Sequence, residues 1–186
     1  MQGPQQSIVE SKMEFWDVIE GRRSVRDFRG EVDVPPETVV RILQAAIMAP
    51  SAGNRQPWHF YVVRRADLRE GLAAAAYGQQ FIAEAPVTIV VCADAEHSAE
   101  RYGQRGRDLY CLQDTAVAAE HILLAAVDAG LGGCWVGAFD ERRAARVLGL
   151  PHRHRPVAIL PIGKPAASAE MRTARQALEA VTTFLE

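Results

Sequence analysis

The sequence predicts a mixed α and β fold around one core, and three observations carry that reading. The chain has 186 residues, enough for one core or two very small ones. Segments with a 3.6-residue apolar period alternate with short β-branched runs, without internal repeats. The run Val87-Thr88-Ile89-Val90-Val91-Cys92 is nearly all apolar, so other elements must cover both faces of that strand.

A polar, flexible tail, residues 1–10, precedes a single domain, residues 11–186. Ser11-Lys12-Met13-Glu14 has capping-box spacing and predicts a helix through Ile19 that ends at Gly21. The basic segment from Arg22 to Phe28 reads as extended. Asp33-Val34-Pro35-Pro36-Glu37 opens a second helix, with Val39, Ile42, Leu43, Ala46 and Ile47 at helical spacing and Pro50 closing it. Small and polar residues 51–57 form a loop, and aromatic and β-branched content makes 58–63 a strand.

Two short helices follow at 67–76 and 79–85, divided by Gly78 and stopped by Pro86. A strand at 87–93 leads into the polar stretch 94–107, read as a mobile connection. A long helix spans about 109–129, with Leu112, Ala116, Ala119, Leu123 and Val127 on one side and Leu124 widening the stripe. Residues 130–133 end it, 134–136 form a short strand, Asp140 caps a helix ending at Gly149, and 157–162 is a further strand. Beyond Gly163, Leu178, Val181, Phe184 and Leu185 need a surface to cover, in the same core or across a partner subunit.

Composition narrows the function. Twenty-one Lys plus Arg against 23 Asp plus Glu leave a net charge of −2, which offers no global field for nucleic acid or an anionic membrane. Cys92, Cys111 and Cys134 form no C-x-x-C pair and read as buried small apolar side chains in a reducing compartment. Residues 1–7 lack the pattern of a secretory signal and no apolar run reaches membrane-spanning length, so the cytoplasm is the expected home. His59, His97, His121, His152 and His154 show no ligand spacing with acidic or thiol partners, and no metal site is expected.

Three segments carry chemistry. In Arg22-Arg23-Ser24-Val25-Arg26, alternate positions of an extended chain share a face, so Arg22, Ser24 and Arg26 would converge as forked donors for a phosphate or another delocalised anion. Taken alone, the segment reads rather as a solvated run of charge. In Pro50-Ser51-Ala52-Gly53-Asn54-Arg55-Gln56-Pro57-Trp58, small residues permit close backbone approach and amides offer donors and acceptors to a planar heteroaromatic edge, or simply connect helix to strand. The third segment runs from Gly130 to Asp140. Its glycines follow a helix and precede a strand, the reverse of the dinucleotide fingerprint, which excludes a Rossmann site.

Together the segments resemble the nitroreductase family of FMN-dependent oxidoreductases. The resemblance rests on Arg-Arg-Ser-Val-Arg-Asp-Phe, Ala-Pro-Ser-Ala-Gly-Asn-Arg-Gln-Pro-Trp, Ala-Pro-Val-Thr-Ile-Val-Val-Cys-Ala-Asp, Leu-Gly-Gly-Cys-Trp-Val-Gly-Ala-Phe-Asp, and Leu-Gly-Leu-Pro followed by Leu-Pro-Ile-Gly-Lys-Pro. It spans Phe15 to about Leu185. It implies an α+β fold with a central, mostly antiparallel sheet flanked by helices, and an intertwined homodimer with FMN at the interface. By the same resemblance Arg22 and Ser24, with Arg23 adjacent, would hold the FMN phosphate, and Arg26 would face the N1 edge of the flavin. Pro50, Ser51, Ala52, Asn54 and Gln56 of the other subunit would line the ring, with Trp135, Val136 and Gly137 along its dimethylbenzene and N5 side. Lys164 and Arg175 would complete the phosphate site, although Arg172 competes with Arg175 because the basic pair is separated by Thr173 and Ala174.

The implied activity passes a hydride from NAD(P)H through the flavin to a nitroaromatic, quinone or similar acceptor in a ping-pong exchange. Arg26 would stabilise the negative charge of the reduced cofactor, which carries the chemistry without a protein nucleophile. Tyr102 and Arg105, near Tyr110, are candidate acceptor contacts on a lid, or residues of a solvated loop. The fold also permits reductive dehalogenation, flavin fragmentation or azoline oxidation, and a flavin-binding module without turnover remains a separate class.

Overall fold

The computed structural model describes residues 13–166 and 173–185; the tail 1–10, the Ser11 cap and Arg172 lie outside the described residues. Helix α1 (Phe15–Gly21) and helix α2 (Pro36–Ile47) come first, α2 starting on a proline whose fixed φ suits a first helical turn. Strand β1 (Trp58–Val63) precedes the short helices α3 (Ala66–Ala75) and α4 (Phe81–Glu84), and strand β2 (Val87–Asp94) follows. Helix α5 (Ala95–Arg105), a π-helical turn (Gly106–Tyr110) and the long helix α6 (Cys111–Asp128) form one nearly continuous helical stretch. Strand β3 (Gly132–Gly133), helix α7 (Glu141–Leu148) and strand β4 (His154–Gly163) complete the core, and a 3₁₀ turn (Leu178–Ala180) lies near the end.

The four strands form one antiparallel sheet in the order β1-β2-β4-β3. A bulge between Val91 and Cys92 shifts the β2–β4 register. All eight residues of β2 are buried, as its apolar run required. One sheet face, with Val87, Ile89, Val91, Ala158, Leu160 and Ile162, packs on α2 and α6 through Ile42, Ala46, Ala119, Ile122 and Ala126. The opposite face, with Val63, Val90, Cys92 and Ile159, packs on α3, α4 and α7 through Leu72, Ile82 and Ala144. All three cysteines are buried and outside any disulfide, and burial pushes the Cys92 thiol up to about 12.

Three expectations need correction. The stretch 94–107 is helical: Asp94 caps α5 by accepting the His97 N–H at 3.1 Å, and Arg107 grips Glu96 through Nε–Oε1 at 3.0 Å. Its polar composition reflects exposed helix faces, with one break at Gly103, where φ is +55°. The short strand is Gly132–Gly133 and not 134–136; of the latter only Val136 bridges, to Ile159. The buried stripe of α6 runs Cys111, Asp114, Thr115, Ala118, Ala119, Ile122, Leu123, Ala126, which leaves Leu112, Ala116 and Val127 half-buried at its border.

Among the described residues, no helix is long and apolar enough to cross a membrane.

Candidate functional site

The arginine segment leaves α1 in extended backbone and lies along β3. Ser24 bridges Gly133 in parallel register, and Val25 N–H donates to the Gly133 carbonyl at 2.9 Å. Glycine makes this approach possible, since a Cβ on Gly132 would stand 2.6 Å from Val25 Cγ2 and one on Gly133 2.6 Å from Ile162 Cδ1. The same segment is tied to the end of β4: Arg29 N–H donates to Lys164 O at 2.9 Å, Phe28 bridges Pro165, and Ala166 N–H donates to Asp27 O at 3.0 Å. On the other side of this junction Lys164 Nζ donates to Gly130 O at 2.9 Å. Sequence-distant Arg22, Arg23, Ser24 and Lys164 thus share one strand junction.

Their side chains differ in use. Arg22 Nε lies 3.5 Å from Glu120 Oε1 on α6. Among the described residues Arg23 Nε is buried without a hydrogen-bond partner. Arg26 is exposed. Val25 and Phe28, three residues apart, are buried in one cluster with Ala85, so the segment turns between them and strict alternation does not extend through residue 28.

The amide loop is built on backbone of unusual handedness: Gly53, Asn54 and Gln56 have φ of +55°, +55° and +52°. A 3₁₀ turn (Ala52–Asn54) organises it, closed by Asn54 N–H to Ser51 O at 2.9 Å and Arg55 N–H to Ala52 O at 3.1 Å. Ser51 Oγ accepts the Gln56 N–H at 2.9 Å, and Gln56 Nε2 lies 3.3 Å from Asn54 Oδ1. Pro50 is exposed beside them.

Two helices hold this loop. Asp114 Oδ1 of α6 accepts the Ala52 N–H at 3.1 Å. From α5, the His97 carbonyl accepts from Arg55 Nε at 3.1 Å and from Nη2 at 2.8 Å, and Glu100 pairs with the same guanidinium. Tyr102 belongs to this contact, because a Cβ on Gly53 would stand 2.3 Å from its hydroxyl. Its ring meets Tyr110 edge-on at 5.2 Å, while Arg105 lies over Tyr110 and donates to its hydroxyl at 3.0 Å. Tyr102 therefore stands beside the amide loop, and Arg105, past the break at Gly103 on the same helix, is held by Tyr110.

Trp135 is 39% exposed, Val136 is buried on Ile159, and Gly137 is exposed, so the chain after β3 presents indole and backbone outward. Arg175 is exposed and its guanidinium bonds locally, to Thr173 O at 3.0 Å and Thr173 Oγ1 at 2.9 Å. Sequence reasoning missed Arg55, His97, Glu100, Asp114 and Glu120. Only Asp114 left a signal, a carboxylate at the spacing of the apolar stripe of α6. Burial pushes the Asp114 carboxyl above its ordinary value, partly opposed by the Ala52 N–H.

FMN, the group implied by the resemblance, brings a dianionic phosphate and a planar ring with donor and acceptor edges. The residues fit it. A buried guanidinium nitrogen without a partner, a neighbouring arginine, a serine and a lysine suit the phosphate, and the strained amide loop and exposed indole suit the ring.

The sequence profile of the Nitroreductase family matches residues 19–83 and 73–164. A Methanothermobacter thermautotrophicus protein, provisionally named NADH dehydrogenase/NAD(P)H nitroreductase, is 35% identical over 166 residues, covering 87% of this chain and 83% of the relative. The crystal structure of a nitroreductase family protein from Clostridium novyi NT superposes with a TM-score of 0.76 at 34% identity, over 84% of this chain and 87% of that one. An Exiguobacterium sibiricum structure solved in complex with FMN shares the fold, with a TM-score of 0.82 at 22% identity over 95% and 99% of the two chains. With the arginine strand, the amide loop and the glycine strand set in this four-stranded antiparallel frame, the chain belongs to the nitroreductase family.

Proposed function

We propose that the chain is an FMN-dependent NAD(P)H oxidoreductase that works as a homodimer, with nitroaromatics, quinones or similar compounds as acceptors. The observation that carries this reading is the buried, partnerless Arg23 Nε at the junction that also gathers Arg22, Ser24 and Lys164. A guanidinium nitrogen kept from both water and protein acceptors is costly unless an anion completes it. When bound, FMN supplies hydride transfer between a reduced nicotinamide and an acceptor that use one binding face in turn.

The chain supplies the hold and the field. Arg22, Arg23, Ser24 and Lys164 would bind the phosphate, with Arg175 reaching it from the exposed C-terminal segment. Arg26 would place positive charge at the N1 edge, where a fixed guanidinium in a partly dry site stabilises negative charge better than water does. Pro50, Ser51, Ala52, Asn54 and Gln56 would line the ring from the partner subunit, and Trp135, Val136 and Gly137 its other side. Tyr102 and Arg105 would contact the acceptor.

Two features support a site shared between copies. Glu120, which meets Arg22, and Asp114, which meets Ala52, are six residues apart on α6, which sets them about 9 Å apart along the axis and about 120° around it. The arginine strand and the loop are thus anchored to different sides of one helix. The second feature is uncovered apolar surface: Phe15, Trp16, Val40, Ile47 and Met48 are all more than half exposed, beside a groove of about 590 Å³ between α1, α2 and α6. The cytoplasm remains the proposed location.

The test is the visible spectrum of the purified protein, followed by anaerobic mixing with NADH or NADPH. A yellow protein bleached by either donor, with parallel double-reciprocal plots, supports the reading. A colourless protein that ignores added FMN refutes it, and intersecting plots refute the ping-pong exchange.

A further inference from the structure

We propose that Asp114 is a positioning residue for the flavin loop: its buried carboxylate, acting through the Ala52 N–H, holds residues 51–57 in the shape that receives the ring. The assignment deepens the function proposed above and rests on its placing of that loop against FMN.

Ala52 opens a 3₁₀ turn, and the first N–H groups of such a turn have no acceptor within it. Asp114 Oδ1 provides one from a helix 62 residues further along the chain. The loop needs outside anchors because Gly53, Asn54 and Gln56 all have positive φ, a region that suits Gly, is tolerated by Asn and is unfavourable for Gln. Its other anchors are an exposed Ser51 Oγ contact, a long Arg101 contact to Gly53 O at 3.5 Å and the half-buried Arg55 latch on the His97 carbonyl. Of these four anchors Asp114 alone is buried, at 7% exposure.

Asp114 is also a poor choice for stability. Its neighbours on the buried stripe, Cys111, Ala118 and Ile122, are apolar, whereas its Oδ2 is buried with no partner among the described residues. Removing a carboxylate from water and leaving one oxygen unsatisfied opposes folding. An apolar side chain would suit the core, and among the described residues only the loop uses the carboxylate.

The test titrates FMN into the apo forms of the wild type, Asp114→Ala, Asp114→Asn, Ala52→Pro and the double variant Asp114→Ala/Ala52→Pro, following flavin fluorescence, with thermal midpoints measured alongside. Ala52→Pro deletes the donor at a tolerant position, because Ser51 is already extended (φ −144°, ψ 155°) and residue 52 begins the turn. Each end of the bond should matter about tenfold in Kd, with the double variant no worse than either single one. Asp114→Asn retains an acceptor oxygen without charge, so it should bind within about threefold of wild type and melt no lower.

Three results overturn the assignment: Asp114→Ala binding FMN like wild type, Asp114→Asn as weak as Asp114→Ala, or additive losses in the double variant. Should Asp114→Ala fail to fold, the Ala52→Pro titration decides, and wild-type affinity there overturns the assignment. A wild-type protein that takes up no FMN removes the flavin reading and this assignment with it. Wild-type binding with unaffected variants removes this assignment alone.

Discussion

Arg22 Nε stands 3.5 Å from Glu120 Oε1, which ties the first guanidinium of the arginine strand to the long helix α6. Both side chains are partly exposed, so the pair contributes little to stability and mainly aims the guanidinium. Arg22→Ala should therefore weaken FMN binding through loss of a charge-assisted fork, by about 10- to 150-fold in Kd, while the fold persists. Glu120→Gln, which leaves the guanidinium in place, should cost less than about fivefold. Flavin content after exhaustive dialysis measures both, and an Arg22→Ala protein that keeps its full complement contradicts the phosphate assignment.

Arg55 gives a second prediction, because it fastens the amide loop to α5 through the His97 carbonyl and Glu100. Arg55→Ala should free the helix that carries Tyr102 and Arg105. Amide hydrogen exchange in residues 95–105 should quicken by about tenfold, while β2, buried along its whole length, stays protected. Unchanged exchange in α5 would show that the latch holds nothing.

The sheet and its helices were legible because their signals are local. The apolar run of β2 dictated a doubly covered strand, and Gly149, at φ +62°, ends α7 as a left-handed cap. What stayed hidden depends on contacts between distant segments. Nothing near Gly132 and Gly133 in the sequence reveals that Val25 and Ile162 will press on them, which is why 134–136 looked like the better strand. Likewise 94–107 looked mobile because its polar residues find partners, Glu96 on Arg107 and His97 on Arg55, that only the fold supplies. The arginines and the loop were visible as residue types; Glu120 was not, and Asp114 showed only as a carboxylate at the spacing of the buried stripe of α6.

A pH dependence follows from the sheet edge. His154 Nδ1 lies 2.6 Å from Tyr61 Oη and its ring stacks on His59 at 4.3 Å. Burial first, then His59 and Arg153, lower its pKa from the ordinary 6.5, with Asp94 opposing. Between the lowered value and 6.5 the unfolded chain binds more protons, so stability rises with pH there; the contribution is complete above 6.5 and is lost as pH falls through the folded value. His154→Gln should flatten the urea-derived stability curve just below pH 6.5. A variant whose curve parallels wild type there excludes His154 as the source.

Trp16 tests the proposed assembly. At 69% exposure in one chain, next to the similarly exposed Phe15, it should tolerate a polar replacement within about 0.5 kcal/mol if the chain works alone. If instead a second copy covers this face, Trp16→Glu places a charge in an apolar interface, where desolvation without a partner is severe. The C-terminal segment points the same way: Leu178, Val181, Phe184 and Leu185 are all at least 62% exposed, so they cover little among the described residues. Sedimentation should find wild type dimeric at micromolar concentration and Trp16→Glu monomeric, with FMN lost alongside because each proposed site draws its loop from the other copy. A Trp16→Glu protein that stays dimeric places the interface elsewhere, and a monomer that still holds FMN shows that one chain completes the site.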